Sequence, residues 1–92
     1  MHILRIEHPV PNYDTWKAAF DSDPIDREGS GVRRYRILRA SDDPNYVMID
    51  LEFDSASEAE AVHAALRDLW ERVDVVHSPQ ARIAEAVESK EY

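Results

Sequence analysis

The order of the apolar stripes along this chain predicts an α+β fold: a four-stranded antiparallel sheet with two helices on one face. Three observations carry it. Four segments alternate apolar and polar residues as strands do, at His2–His8, Val32–Arg39, Tyr46–Phe53 and Ala81–Val87. Two others, Tyr13–Phe20 and Ser55–Arg72, repeat apolar residues at helical spacing. Their order is β-α-β-β-α-β, the split βαβ arrangement of a ferredoxin-like domain. Two helices cover only one face of such a sheet, so the other face needs a partner.

Taken in order, the first strand sets Leu4 and Ile6 against Arg5 and Glu7, a half-buried alternation. Pro9 and Pro11 stop it, because proline cannot donate to the ladder. Asn12 is a suitable N-cap for a helix whose aromatic face is Tyr13, Trp16, Ala19 and Phe20. Asp21–Ser30 is the main irregular connection, with Gly29-Ser30-Gly31 as a flexible entry to the second strand. Strands two and three form a hairpin around Asp42-Asp43-Pro44-Asn45. With Arg39 opposite Tyr46, Ile37 faces Met48, Tyr35 faces Asp50 and Arg33 faces Glu52, each a sensible pair. That register leaves Val47, Ile49, Leu51 and Phe53 as the floor for the helices and puts Arg34 and Arg36 on the same covered side. A slip of one residue would reverse these assignments.

The second helix opens with a capping box, Ser55 and Glu58. Its apolar stripe is Ala59, Val62, His63, Leu66, Leu69, Trp70 and Val73, with Glu60, Arg67, Asp68 and Glu71 toward solvent. Ala81, Ile83 and Val87 mark the last strand, interrupted by Glu85, and the tail Glu88–Tyr92 is acidic.

Composition narrows the function classes. Ninety-two residues are expected to make one domain, 1–92. At this size folding buries only about 60–65% of the surface exposed by the unfolded chain, so further burial against a second subunit is useful. A homodimer through the uncovered sheet face, with Ile37 and Met48 on it, is therefore expected. The chain has no cysteine, which excludes disulfides, thiolate metal sites and cysteine nucleophiles and fits a reducing cytoplasm. Met1–Glu7 carries charge within its apolar stretch and does not read as a signal peptide. No run approaches the roughly 18 apolar residues of a membrane span. A formal net charge of −8 argues against nucleic acid. Against that acidity, Arg33, Arg34, Arg36 and Arg39 crowd one strand, either to grip an anionic ligand or to pair with acids on the neighbouring strand.

Candidate chemistry rests on few side chains. His63 lies within the stripe of the second helix, where an imidazole suits acid–base work; the competing reading is a histidine at the stripe's edge or bonded within the core. Trp16, Phe20 and Trp70 either line a flat apolar pocket or are core aromatics, and both roles can coexist. Tyr35, paired with Asp50, is a second candidate for proton transfer or a structural pair. Arg36 beneath the helices would be a buried cation in need of a carboxylate or a ligand anion. His8 either reaches the pocket mouth or is a surface histidine. There is no phosphate loop, nucleophile elbow, two-histidine metal motif, or flavin or nicotinamide fingerprint, so no cofactor and no metal are expected.

The stretches Tyr13–Phe20, Gly31–Arg36, Asp42–Asn45 and Ala81–Tyr92 resemble the dimeric α+β barrel superfamily, which includes antibiotic-biosynthesis-monooxygenase-like proteins and small bacterial proteins labelled cyclases. The resemblance spans nearly the whole chain. It implies two sheets meeting face to face in a dimer, and it implies that Trp70 matches a tryptophan used on the second helix by monooxygenase-like members. Haem-degrading members carry a histidine beyond that helix, and His77 corresponds. An asparagine used by members acting on quinones or haem is absent, since Leu66 stands one turn before Trp70 and the first strand has no asparagine. The expected protein is a cytoplasmic homodimer that binds an aromatic or polyketide-like molecule, with cofactor-independent oxygenation or cyclisation as the reaction. His63 and Tyr35 would move protons, Arg36 would orient an oxyanion, and Trp16, Phe20 and Trp70 would contact the ligand. A non-catalytic binding or assembly domain is the alternative.

Overall fold

A computed structural model describes residues 1–72 and 79–92. The elements run β1 (His2–Pro9), α1 (Tyr13–Asp21), β2 (Arg34–Ala40), β3 (Asp43–Phe53), α2 (Ala56–Trp70) and β4 (Gln80–Glu85). The strands form one sheet in the order β2-β3-β1-β4, with every neighbouring pair antiparallel. This is the ferredoxin-like α+β architecture that the order of stripes predicts.

Burial follows the alternation. Leu4, Ile6 and His8 of β1 and Val47, Ile49, Leu51 and Phe53 of β3 turn toward the helices and are all buried. Trp16 from α1 and Ala59 and Val62 from α2 close on that floor. Both helix starts are capped as expected. The Asn12 side chain accepts from the Thr15 N–H at 3.0 Å, and the Ser55 hydroxyl accepts from the Glu58 N–H at 3.3 Å. The Glu58 carboxylate, however, takes the Ser55 hydroxyl at 3.0 Å rather than the backbone donor of a full capping box.

The hairpin corrects the expected register by one residue. Arg36 lies opposite Asp50, Ile37 opposite Ile49, Tyr35 opposite Leu51 and Arg34 opposite Glu52. A bulge between Arg39 and Ala40 is the reason. Strand β3 begins at Asp43, so Pro44 sits within a distorted ladder instead of closing a symmetric turn, and the extra residues shift the pairing. Ile37 and Tyr35 are therefore on the helix side, while Arg34 and Arg36 are on the open face, contrary to the sequence reading. The outcome obeys a simple preference: apolar positions of both strands share the covered side, and guanidinium groups stay wet.

On the open face the arginines of β2 pair with the acids of β3. Arg34 meets Glu52 at 2.7 Å and Arg36 meets Asp50 at 3.3 Å. Just before the strand, Arg33 meets Asp54 at 2.7 Å. Arg39 instead lies over the Tyr13 ring, 4.5 Å from its centroid. Among the described residues no helix is long and apolar enough to cross a membrane.

Candidate functional site

Helices α1 and α2 both rest on the sheet, their Cα atoms staying more than 8 Å apart. The gap between them is a partly enclosed cavity of about 260 Å³. Its floor is Ile6 and His8 of β1 with Ile49 and Leu51 of β3. One wall is Trp16, Ala19 and Phe20 of α1; the other is Leu66, Leu69 and Trp70 from the end of α2. Ser22, Pro24, Ile25 and Arg27 of the α1–β2 connection complete it.

Trp16, Phe20 and Trp70 are thus brought together, on facing walls of one space. Along one side the rings form a continuous series. Tyr13 and Trp16 are 5.8 Å apart, Trp16 and Phe20 5.3 Å, and Phe20 meets Tyr35 edge-on at 5.1 Å. Tyr35 extends that series, yet it is 44% exposed and outside the cavity wall. His63 is also outside. It lines a separate shallow groove with Arg67, Trp70, Glu71, Pro79 and Ala81. Partial burial, reinforced by the Arg67 guanidinium, holds its imidazole below the ordinary histidine value. Arg36, expected under the helices, is on the opposite face of the sheet, bound to Asp50. His77 lies outside the described residues.

Of the cavity's polar residues, His8 was left between the pocket mouth and the surface, and Arg27 was missed. His8 is not a surface histidine: only 2% of it is exposed, on the floor and edge-on to Trp16 at 6.2 Å. Its Nδ1 lies 3.1 Å from the Pro9 carbonyl oxygen. A carbonyl only accepts, so Nδ1 carries the proton, and in the neutral ring Nε2 holds the lone pair. The signal was present in parity, since His8 follows Leu4 and Ile6 at alternate positions on the buried side. Arg27 had no such signal, because it comes from the irregular connection. Its Nη1 donates to the Phe20 carbonyl at 2.8 Å, and its guanidinium carbon stands 3.9 Å from the Phe20 ring centroid.

On the open face, Asp50 is gripped by Arg5 through two 2.8 Å bonds and by Arg36 through one. The hydrogen bonds from Arg5, helped by the one from Arg36, hold its carboxyl below the usual carboxylate value despite burial. The Tyr46 hydroxyl donates to Glu7 at 2.8 Å, which pushes the phenol up. Among the described residues no group of three or more His, Asp or Glu side chains is placed to hold a metal ion.

No protein-family model and no curated protein matches the sequence. The likenesses are to solved structures. A dimeric ferredoxin-like protein from an uncultured marine organism is 12% identical, with 97% of each chain covered and a TM-score of 0.71. A protein from Shewanella oneidensis is 19% identical, covering 90% of this chain and 88% of that one, with a TM-score of 0.68. An antibiotic biosynthesis monooxygenase is 13% identical, covering 96% of this chain and all of that one, with a TM-score of 0.67. At these identities the likeness is one of fold, and it runs through the whole architecture. The chain has the ferredoxin-like fold found in antibiotic biosynthesis monooxygenase and dimeric ferredoxin-like structures.

Proposed function

We propose that this chain is a cytoplasmic homodimer binding a flat aromatic, polyketide-like molecule in the cavity between its helices and sheet. The observation that carries the proposal is the cavity itself: about 260 Å³, walled by three large aromatic rings, with a buried imidazole on its floor. An apolar cavity of about 150 Å³ holds benzene, so this one suits a ring system of roughly two rings or the end of a longer one. Trp16, Phe20 and Trp70 supply the faces on which it stacks.

The reaction class that fits is cofactor-independent oxygenation or cyclisation of an acidic phenol or enol. His8 is placed to begin it. Its imidazole lies on the cavity floor with Nδ1 held by the Pro9 carbonyl, and imidazole is the side chain that most often serves general base catalysis near neutral pH. His63 and Tyr35 stand outside the cavity wall, so among the described residues we assign proton transfer there to His8. The same placement favours a second reading, a binding protein without turnover, because one buried histidine also serves merely to orient a ligand.

Homodimer formation is supported by the open sheet face and by the dimeric descriptions of structures sharing the fold. Leu38 and Met48 are neighbours across the hairpin there, and Leu38 is 40% exposed. Around them Arg34 pairs with Glu52, and Arg5 and Arg36 share Asp50, which lowers the cost of covering those groups.

The test is fluorescence. Both tryptophans of the chain line the cavity, so a bound aromatic reports itself by saturable quenching. A panel of naphthols, naphthoates and naphthoquinones is expected to contain saturable quenchers, and Trp70→Ala to weaken them. Silence across the panel would remove the cavity as a binding site. For the catalytic reading, His8→Gln should cut turnover by about 10²–10⁴-fold while binding changes little. Equal loss of both would reduce His8 to a binding residue.

A further inference from the structure

We propose that the cavity selects for an anion: a small aromatic body bearing one negatively charged oxygen group, with Arg27 as its counter-charge. This rests on the cavity being the binding site. Among the described residues that line it, none is aspartate, glutamate or lysine, and Arg27 is the one permanently charged side chain. The described part of the wall thus has a single fixed charge, positive, beside surfaces that are mostly apolar or aromatic.

Arg27 is held from several sides. Its backbone N–H donates to the Asp23 carboxylate at 2.9 Å, and its carbonyl accepts from the Val32 N–H at 3.0 Å. Its guanidinium stacks against Phe20, lies 5.1 Å from the Tyr35 ring centroid, and sends Nη1 to the Phe20 carbonyl. Nε faces Asp23 at 3.5 Å, leaving that ion pair long. The side chain is only 14% exposed. Nη2 makes no hydrogen bond to a described residue. A cation fixed this way needs little further ordering when a ligand arrives at the wall it belongs to.

A carboxylate, phenolate or enolate answers this arrangement because a charge-assisted hydrogen bond is about twice as strong as a neutral one. A neutral ring leaves the guanidinium half desolvated with nothing gained. Phe20 serves both ends of the same ligand, carrying the cation on one side and forming part of the aromatic wall.

The experiment compares 2-naphthoate with 2-naphthamide, which share a ring system and differ in charge. Tryptophan quenching measures both affinities in the wild-type protein and in Arg27→Gln and Arg27→Lys. The acid should bind about 10- to 100-fold tighter than the amide, the range of a hydrogen bond to a charged group. Arg27→Gln should erase that preference by weakening the acid alone, and Arg27→Lys should keep part of it. Equal wild-type affinity for the two ligands overturns the anion selectivity while leaving the cavity a binding site. An acid preference that survives Arg27→Gln overturns the assignment to Arg27. Failure of both ligands to quench overturns the binding site itself. Should Arg27→Gln fail to fold, the wild-type ratio and the Arg27→Lys ratio still decide, since a ratio of one in the wild type is fatal by itself.

Discussion

Arg36 and Asp50 stand directly opposite each other on the uncovered face of the sheet, with guanidinium and carboxylate 3.3 Å apart. From the other neighbouring strand, Arg5 holds the same carboxylate at 2.8 Å. A row of three side chains therefore crosses three strands, with the buried acid in the middle and the exposed bases at its sides. That centre makes Asp50 the most sensitive polar position of the open face.

Asp50→Asn is expected to destabilise the fold by about 1–3 kcal/mol, because it weakens charge-assisted bonds to two arginines in a buried setting. The pH dependence follows from the direction of the shift. A carboxyl held below its ordinary value near 3.8 contributes stability fully above that value and loses it as pH falls through the folded one. Urea midpoints of wild type should therefore drop below about pH 4 more steeply than those of Asp50→Asn. Parallel curves would contradict it.

Light scattering should give twice the chain mass at micromolar concentration, and Met48→Lys should shift the equilibrium toward monomer. Met48 lies half-buried on the open face between Leu38 and Glu7, so a lysine there puts an extra unpaired charge into a sheet-to-sheet interface. The matched change Arg39→Lys, on the other face, should leave the mass unchanged.

His63 offers a pH signature of the same sign as Asp50, but at higher pH. Its folded value is depressed by burial and then by Arg67, so the unfolded chain takes up a proton first as pH falls below about 6.5. Stability present above that value is eroded below it. His63→Gln should flatten the loss of stability between about pH 7 and 5.5, measured by urea unfolding.

Gly31 should tolerate no side chain. It has φ of 101°, outside the region L-residues adopt, and an added Cβ would come 2.5 Å from Glu58 Oε2. Gly31→Ala is expected to cost about 1–3 kcal/mol, read as a lowered urea midpoint.

The order and type of every element were legible because each rests on local periodicity. The buried alternation of Val47, Ile49, Leu51 and Phe53, and the two caps at Asn12 and Ser55, are of the same kind. What was not legible depended on one residue of register. The bulge at Arg39 and Ala40 leaves no periodic trace, yet it moves Tyr35, Arg36 and Ile37 across the sheet. The aromatic members of the cavity were visible as helical stripes. His8 was discoverable from strand parity, but the adjacent Pro9 suggested a strand end at the surface. Arg27 was beyond reach, since its position depends on a connection whose hydrogen bonds form only after the chain has turned.

That connection is a small structure in itself. Asp23 and Asp26 take left-handed backbone angles, Asp26 accepts from Gly29, and Ser30 ties back to Ile25 and Asp26. Its internal bonds do not involve the strand ladder or the pairing of β2 with β3. On the proposed reading, framework and selector are separate inheritances in this chain. A substitution at position 27, or a loop of different length, can change which molecules enter while the sheet keeps its register and the helices their seats. The same scaffold can thus pass from one ligand to another by exchange of a short surface segment, without the folding problem being solved again.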